Sequence, residues 1–205
     1  MFPRPKDWNE NIYQHGYWFV EGDDNYSPPL ELARFLDSGE KPVYIGFGSV
    51  FNKDEKDKFV KLIIEALIIC GKRGIICGMG EISGLPDNIF AIDSVPHTWL
   101  FPRCSTVCHH GGAGTSAAGF AAGVPSVIIP FSNDQFAWAH RAYDLGVGSK
   151  PIPRKKLTAN RLSEAIQYSL QSNVREKASL LGECIQNENG AEKAANEILS
   201  FLSKR

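Results

Sequence analysis

The chain has 205 residues, of which 43% are hydrophobic, enough for one substantial core. Its formal net charge is −1, so it lacks the overall basic excess that is typical of nucleic-acid-binding proteins. No apolar stretch reaches the roughly 20 residues that a membrane-spanning helix needs. The polar opening Met1–Lys6 is not typical of a signal peptide, and the five cysteines lie in apolar surroundings, so we expect reduced thiols and a cytoplasmic protein.

The hydrophobic pattern divides the chain into two parts. Residues 1–30 show no sustained period and are predicted to form an extended arm. Beyond them, short apolar runs alternate with helical patterns, which predicts a doubly wound, Rossmann-like α/β domain with a parallel sheet. The predicted strands cover 42–47, 74–77, 88–92, 106–108 and 126–130, with a brief final strand at Val147. The predicted helices cover 30–36, 53–70, 98–101, 113–122, 134–145, 157–170, 174–185 and 191–202.

The most informative stretch runs from Val107 to Gly119, where an apolar strand passes through two histidines and a glycine-rich turn into an alanine-rich helix. Three glycines within four positions allow positive φ and a close approach of the backbone to a ligand. The unpaired N–H groups of the first helical turn favour anions, and phosphate is the commonest. On this pattern alone, an ordinary strand-to-helix connection remains an equal alternative.

Two other interpretations are rejected on spacing. Cys104, Cys108, His109 and His110 suggest zinc, but no second ligand pair is spaced to complete a tetrahedral site. The glycine-rich motif of a dinucleotide-binding site should follow the first strand, and an acidic residue that binds the ribose should follow the second strand. Here the first strand ends in Gly46-Phe47-Gly48-Ser49 and no such acid follows. We therefore expect neither a zinc centre nor a dehydrogenase.

Ligands of an open parallel sheet bind at the carboxyl edge of the strands. Three loops are predicted to converge at this edge, covering residues 48–49, 94–97 and 109–115. A fourth loop, 131–135, is predicted to lie beside them.

Several of these stretches together resemble the nucleotide-sugar signature of the family 1, inverting, GT-B glycosyltransferases. They are Val95–Leu100, His109–Thr115, Gly123–Pro125, and Pro130-Phe131 leading to Asp134-Gln135. Within that family the chain is similar to sterol 3-beta-glucosyltransferases, on the stretches Pro5–Trp8, Tyr44–Ser49 and Gly146–Pro153. The resemblance implies that residues 31–205 are the carboxyl-terminal, donor-binding lobe of a GT-B enzyme, and that residues 1–30 are an interdomain arm.

The resemblance also implies a site for a nucleoside diphosphate sugar, UDP-glucose by analogy, without a metal cofactor. His109 would donate a hydrogen bond to a phosphate, the Val95 backbone would bind the base, and His97 would lie near the ribose. Asp134 and Gln135 would hold the sugar hydroxyls. The full set of implied donor-binding residues is Gly48, Ser49, Val95, His97, His109, Gly111, Gly112, Ala113, Gly114, Thr115, Asp134 and Gln135.

Structural roles remain the alternative for several of these side chains. His109 could be a strand-end histidine satisfied by a backbone carbonyl, and Asp134 and Gln135 an acid at a helix start and its solvated neighbour. For His110 the structural role is the favoured interpretation. Plant members of the family place a tryptophan where Ser94 stands and a glutamate where Ala117 or Ala118 stands, so both uridine and thymidine donors stay open.

The catalytic base of an inverting transfer takes the proton from the acceptor hydroxyl, and in this family it belongs to the other lobe. No histidine here matches it, so we expect this chain alone to bind donor and transfer nothing. The whole enzyme would move a hexose to a hydroxyl of a sterol or another lipophilic acceptor, with peripheral membrane association as a further expectation. Two alternatives stay open: one subunit of a split, two-chain glycosyltransferase, and a non-catalytic nucleotide-sugar binding module.

Overall fold

The computed structural model describes residues 1–19, 26–48 and 55–203. Five parallel strands form its sheet: β1 Val43–Gly46, β2 Gly74–Cys77, β3 Ile89–Ile92, β4 Thr106–His109 and β5 Ser126–Ile128. Their spatial order is β3-β2-β1-β4-β5. The order of the strands changes direction between β1 and β4, and this is the point where doubly wound sheets bind their ligands.

Eight helices accompany these strands in the described part of the chain. Their bounds are α1 Leu30–Asp37, α2 Lys56–Cys70, α3 His97–Leu100, α4 Ala113–Ala121, α5 Gln135–Asp144, α6 Ala159–Ser169, α7 Ser172–Gln186 and α8 Gly190–Ser203. Strands that alternate with helices in this way give the predicted doubly wound α/β fold, which is confirmed.

Successive strand residues point to opposite faces of the sheet, so each face has its own core. Val43 and Ile45 of β1 pack with the apolar sides of α2 and α6 on one face. Tyr44 points to the other face and packs with residues of α1 and α3. A third cluster joins α4, α5 and α7 through Phe120, Ala139 and Ala178. The sheet is therefore covered on both faces, and its carboxyl edge is left to the loops.

Two predicted elements have different bounds in the structure, and a proline lies at each of them. The strand predicted to reach Pro130 ends at Ile128; the Ile129 N–H still bonds the His109 carbonyl, but Pro130 has no N–H to continue the ladder. The helix predicted over 98–101 begins one residue earlier, at His97, and passes into a 3-10 turn, Phe101–Arg103, which contains Pro102.

Other boundaries differ by one or two residues. The fourth strand extends one residue beyond its prediction, to His109. The brief strand predicted at Val147 is a single bridge between Ser126 and Gly148. Thr158 caps α6 as predicted, since its hydroxyl accepts a hydrogen bond from the Arg161 N–H. The predicted start of the first long helix, at residues 53 and 54, lies outside the described residues.

The amino-terminal arm packs on the domain. Phe2 contacts Trp138 of α5 edge to face, with ring centroids 5.0 Å apart, and Tyr17 stacks on the same tryptophan at 6.5 Å. The Arg141 guanidinium donates to the Met1 carbonyl. The described arm residues 1–19 contain no helix or strand, as predicted. The domain boundary at residue 30 stays a prediction.

Candidate functional site

The turn after β4 is held by His109, the last residue of the strand. Its side chain is fully buried, and the Gly111 N–H donates to its Nδ1 at 3.0 Å. An Nδ1 that accepts requires the proton of the neutral ring to sit on Nε2. Burial, together with His110 and His97, lowers the pKa of His109 to about 3. The ring is therefore neutral and positions the turn from inside the protein.

Only glycine fits at position 111. Its φ is +93°, in the region that L side chains rarely adopt. A Cβ added there would lie 2.7 Å from Ile128 Cγ2 and 3.1 Å from the Gln135 carbonyl oxygen. The turn therefore lies directly against the start of α5, and the loops after β4 and β5 form one surface.

The first turn of α4 leaves its backbone donors open. Gly112 is the N-cap and supplies no side-chain cap; its carbonyl accepts the first helical bond, from the Ser116 N–H at 2.9 Å. The N–H groups of Ala113, Gly114 and Thr115 make no hydrogen bond to any other described residue. A Cβ added at Gly114 would meet nothing within 4 Å. Ala113 and Gly114 are exposed, so three backbone donors at the positive end of the helix dipole have no partner in the described part of the chain.

His110 lies across the switch point of the sheet. A Cβ at Gly48, after β1, would be 3.8 Å from His110 Cε1, and one at Gly112 would be 2.6 Å from its Nε2. The ring is half-buried, which lowers its pKa, while the charge of Asp134 acts in the opposite direction. The side chain therefore connects the end of β1 with the start of α4.

The start of α5 presents one carboxylate and one amide. Asp134 is exposed, and its side chain makes no capping bond. The Gln135 Oε1 accepts hydrogen bonds from the Phe131 N–H at 2.7 Å and the Ser132 N–H at 3.2 Å. Because the loop uses this oxygen, the amide nitrogen of Gln135 remains as a donor.

The loop after β3 is filled by its own side chains. Val95 is buried, and its backbone N–H and C=O make no hydrogen bond to another described residue. His97 Nε2 lies 3.2 Å from the Tyr44 hydroxyl, and its ring stacks on Phe101 at 4.4 Å. Burial lowers the pKa of His97 and raises that of Tyr44. The His97 ring thus already has a polar partner and an aromatic one.

The structure brings most of the predicted residues to one edge of the sheet. Gly48, the glycine turn, and the Asp134-Gln135 pair lie around the start of α4, whereas Ser49 lies outside the described residues. The His109 side chain is enclosed, but its Nε2 makes no hydrogen bond to another described residue. Its predicted contact with a phosphate stays a prediction. The His110 ring is half-buried and its Nδ1 has no hydrogen-bond partner among the described residues, so its structural role also stays a prediction.

The remaining chemical groups were also surveyed. All five cysteines are free thiols, and burial raises the pKa of Cys104 to about 12. Across residues 1–19, 26–48 and 55–203, no three His, Cys, Asp or Glu side chains are grouped so that they could hold a metal ion. None of the described helices combines the length and the apolar character that crossing a bilayer would require.

Known proteins with similar sequences and folds point to one family. Residues 76–204 match the family model described as "Erythromycin biosynthesis protein CIII-like, C-terminal domain". A sterol 3-beta-glucosyltransferase of Arabidopsis thaliana is 40% identical over 98% of this chain and 32% of its own length. One from Cryptococcus neoformans is 38% identical over 98% of this chain and 14% of its own length. The chain thus spans about a third or less of these curated relatives.

The fold has solved counterparts. The crystal structure of the glycosyltransferase VinC in complex with dTDP superposes with a TM-score of 0.69 at 22% identity. The match covers 83% of this chain and 44% of that one. Together with the match of the family model, this places the chain: it belongs to the erythromycin biosynthesis protein CIII-like C-terminal domains, the carboxyl-terminal half of family 1 GT-B glycosyltransferases.

Proposed function

We propose that this chain binds a nucleoside diphosphate sugar at the carboxyl edge of its sheet, as the donor half of an inverting glycosyltransferase. The observation that carries the proposal is the start of α4, where three backbone N–H groups beside the switch point make no hydrogen bond to another described residue. A diphosphate in that space accepts hydrogen bonds from these donors and gains from the helix dipole. The leaving diphosphate gains more, because its negative charge grows as the bond to the sugar breaks.

Among the two adjacent histidines, we assign the phosphate contact to His110. Its half-buried ring lies between Gly48 and Gly112, whereas the His109 ring is fully buried and holds the Gly111 N–H. A neutral imidazole supplies one N–H donor, so His110 adds to the backbone donors without a fixed charge. The hydroxyl of Thr115, the third residue of α4, adds another hydrogen-bond donor. In this arrangement the diphosphate is bound without a metal ion.

The sugar would lie toward the start of α5. The exposed carboxylate of Asp134 can accept hydrogen bonds from two adjacent hydroxyls, and the Gln135 amide nitrogen can donate to a third oxygen. The Gln135 Oε1 is already occupied by two backbone N–H groups, so its side chain is held in place before a ligand arrives. The proposal thus gives Gln135 a donor role only.

The base and the acceptor are assigned from the relatives. We assign the base contact to the backbone groups of Val95, which make no hydrogen bond to another described residue. The names of the similar sterol 3-beta-glucosyltransferases favour glucose as the sugar and a sterol hydroxyl as the acceptor for the whole protein, and we take UDP-glucose as the donor. The fold neighbour that binds dTDP makes thymidine the competing base. We place the acceptor site and the catalytic base outside this chain, in a lobe joined to it or in a partner protein.

Titration calorimetry with UDP tests the proposal. We expect binding in the presence of EDTA that is unchanged by Mg²⁺. His110→Ala should weaken it about tenfold and Thr115→Ala about threefold, as expected for lost hydrogen bonds to a charged group and to a hydroxyl. His140→Ala is the matched control, because His140 is exposed on α5. Equal affinity for the His110 and His140 variants, or a strict need for Mg²⁺, would contradict the proposal.

A further inference from the structure

A second concave surface lies at the outer edge of the sheet. Beyond β5 the chain runs parallel to the strand, with the Ile152 N–H on the Ile128 carbonyl and the Arg154 N–H on the Pro130 carbonyl, both at 3.2 Å. Between this segment, α5 and α6 lies a groove of about 690 Å³. Its volume falls within the range of small-molecule and headgroup sites, roughly 300–1,000 Å³. We call it the α5–α6 groove.

Part of the lining of the α5–α6 groove is basic. Lys150, Lys156 and Arg161 line it, and Glu164 is the single acidic residue among its described lining residues. From Lys150 to Arg161 the sequence holds five basic residues and no acidic one, although the whole chain has a net charge of −1. Arg161 donates to the Lys156 carbonyl and not to a carboxylate. Arg154, one of the five, is paired with Glu55 and lies outside the groove lining. Lys150, Lys156 and Arg161 form no ion pair with a described carboxylate, so the positive charge that they carry is available to an external anion.

Another part of the lining is aromatic. Phe136, Tyr143 and Tyr168 line the groove and remain 37%, 42% and 36% exposed. Tyrosine, like tryptophan, is enriched where a protein meets the headgroup region of a bilayer, because one end of its ring is apolar and the other polar. A run of basic residues beside them attracts the anionic lipids of the same surface.

We propose that the α5–α6 groove docks the protein on an anionic membrane, with a phospholipid headgroup seated among its basic and aromatic lining residues. Lys150, Lys156 and Arg161 contact the lipid phosphate and carboxylate groups. Tyr143 and Tyr168 lie at the level of the glycerol backbone. Charge complementarity and the mixed lining select this occupant over a neutral apolar ligand. The groove shares no residue with the donor-binding set, so docking and donor binding are separable.

Vesicle co-sedimentation of the full chain tests the proposal. We expect binding to vesicles of phosphatidylcholine and phosphatidylserine in equal parts, weakening as salt is raised, and none to phosphatidylcholine alone. Lys150→Gln with Lys156→Gln should lower the partition coefficient about 30-fold, at roughly fivefold per basic residue. Tyr143→Ser with Tyr168→Ser should also weaken binding to the anionic vesicles.

The matched control is Lys58→Gln with Lys61→Gln, which removes the same charge from the exposed side of α2. Circular dichroism reports whether each variant is folded. Three results would overturn the proposal: equal binding to neutral and anionic vesicles, an equal loss in the α2 control, or release from the vesicles by millimolar inorganic phosphate at constant ionic strength. The last result would identify a site for a free anion in place of a bilayer.

Discussion

The loop after β4 and the loop after β3 end at the same edge of the sheet but meet solvent in different ways. After β4, the glycine turn has no side chains that could cover the backbone. The N–H groups of Ala113, Gly114 and Thr115 make no hydrogen bond to another described residue. After β3, the loop space is occupied, with His97 bonded to Tyr44 and stacked on Phe101. The loop after β4 offers backbone donors to a ligand, whereas in the loop after β3 the polar side chain of His97 already has its partners within the protein.

This difference has a single cause in the sequence. Gly111 and Gly112 have no Cβ, so the chain can turn at positive φ and expose its backbone against α5. The loop after β3 contains Val95, Pro96 and His97, whose side chains need burial or a partner. Substitutions that fill the glycine turn should therefore damage folding or ligand binding, whereas substitutions that break the contact between His97 and Tyr44 should chiefly affect stability.

The largest expected effect is that of Gly111→Ala. A Cβ there combines positive φ with a 2.7 Å contact to Ile128 Cγ2, so we expect a loss of about 3 kcal/mol in the free energy of unfolding. Gly114→Ala is the matched control. Its Cβ meets open space in a helix, where alanine is favoured over glycine by about 0.5–1 kcal/mol. Denaturant unfolding measures both, and equal stabilities for the two variants would contradict the geometry of the turn.

The second effect is acid destabilisation through His109. Its pKa is about 3 in the folded protein and about 6.5 in the unfolded chain, so between these values only the unfolded state binds the proton. Stability is therefore complete above pH 6.5 and falls by about 1.4 kcal/mol per pH unit below it, or about 2 kcal/mol by pH 5. The lowered pKa values of His97 and His110 act in the same direction.

Unfolding curves measured between pH 7 and about 5 give this slope directly. His109→Asn retains an acceptor near the position of Nδ1 and should remove most of the His109 contribution to the slope. His140→Asn, at an exposed position of α5, is the matched control. An unchanged slope in the His109 variant would show that this ring is not buried in its neutral form.

The smallest effect is that of Tyr44→Phe. The change removes the hydroxyl 3.2 Å from His97 Nε2 but keeps the ring against Phe101, at a cost of about 1 kcal/mol for the lost hydrogen bond. The affinity for UDP should stay the same, because the backbone donors after β4 are untouched. A loss of UDP affinity comparable to that of His110→Ala would place the β3 loop within the phosphate site and break the comparison.

Much of the fold could be predicted from the sequence. The wholly apolar runs of β1, β2 and β5 and the periodic apolar faces of the long helices are strong local signals. The ends of elements that are set by tertiary contacts were harder to predict. The fourth strand extends to His109 because Gly46 of β1 pairs with it, and pairing partners cannot be deduced from one strand alone. The stop before Pro130 could have been found, since proline has no N–H.

The candidate site was predicted at the level of loops rather than side chains. Glycine spacing and the helix start identified the β4–α4 turn from the sequence alone. The roles of the two histidines depend on which of the two rings is buried, as the bond from the Gly111 N–H to His109 shows. The role of the Gln135 oxygen depends on the conformation of the 131–135 loop, in which it accepts the Phe131 N–H. The partnership of Tyr44 with His97 joins residues 53 positions apart, and no local pattern reveals it.

The central claim is that the start of α4 holds a diphosphate, and Gly114→Glu tests it most directly. A carboxylate in the first turn favours the helix through its dipole, yet it places negative charge where the diphosphate should lie. The control is Asn173→Glu, the equivalent second position of α7, which is exposed and far along the chain from the site. We expect both variants to be at least as thermally stable as the parent, with calorimetry showing a loss of UDP affinity of at least about 30-fold for Gly114→Glu alone. Unchanged UDP affinity in a folded Gly114→Glu protein would contradict the account.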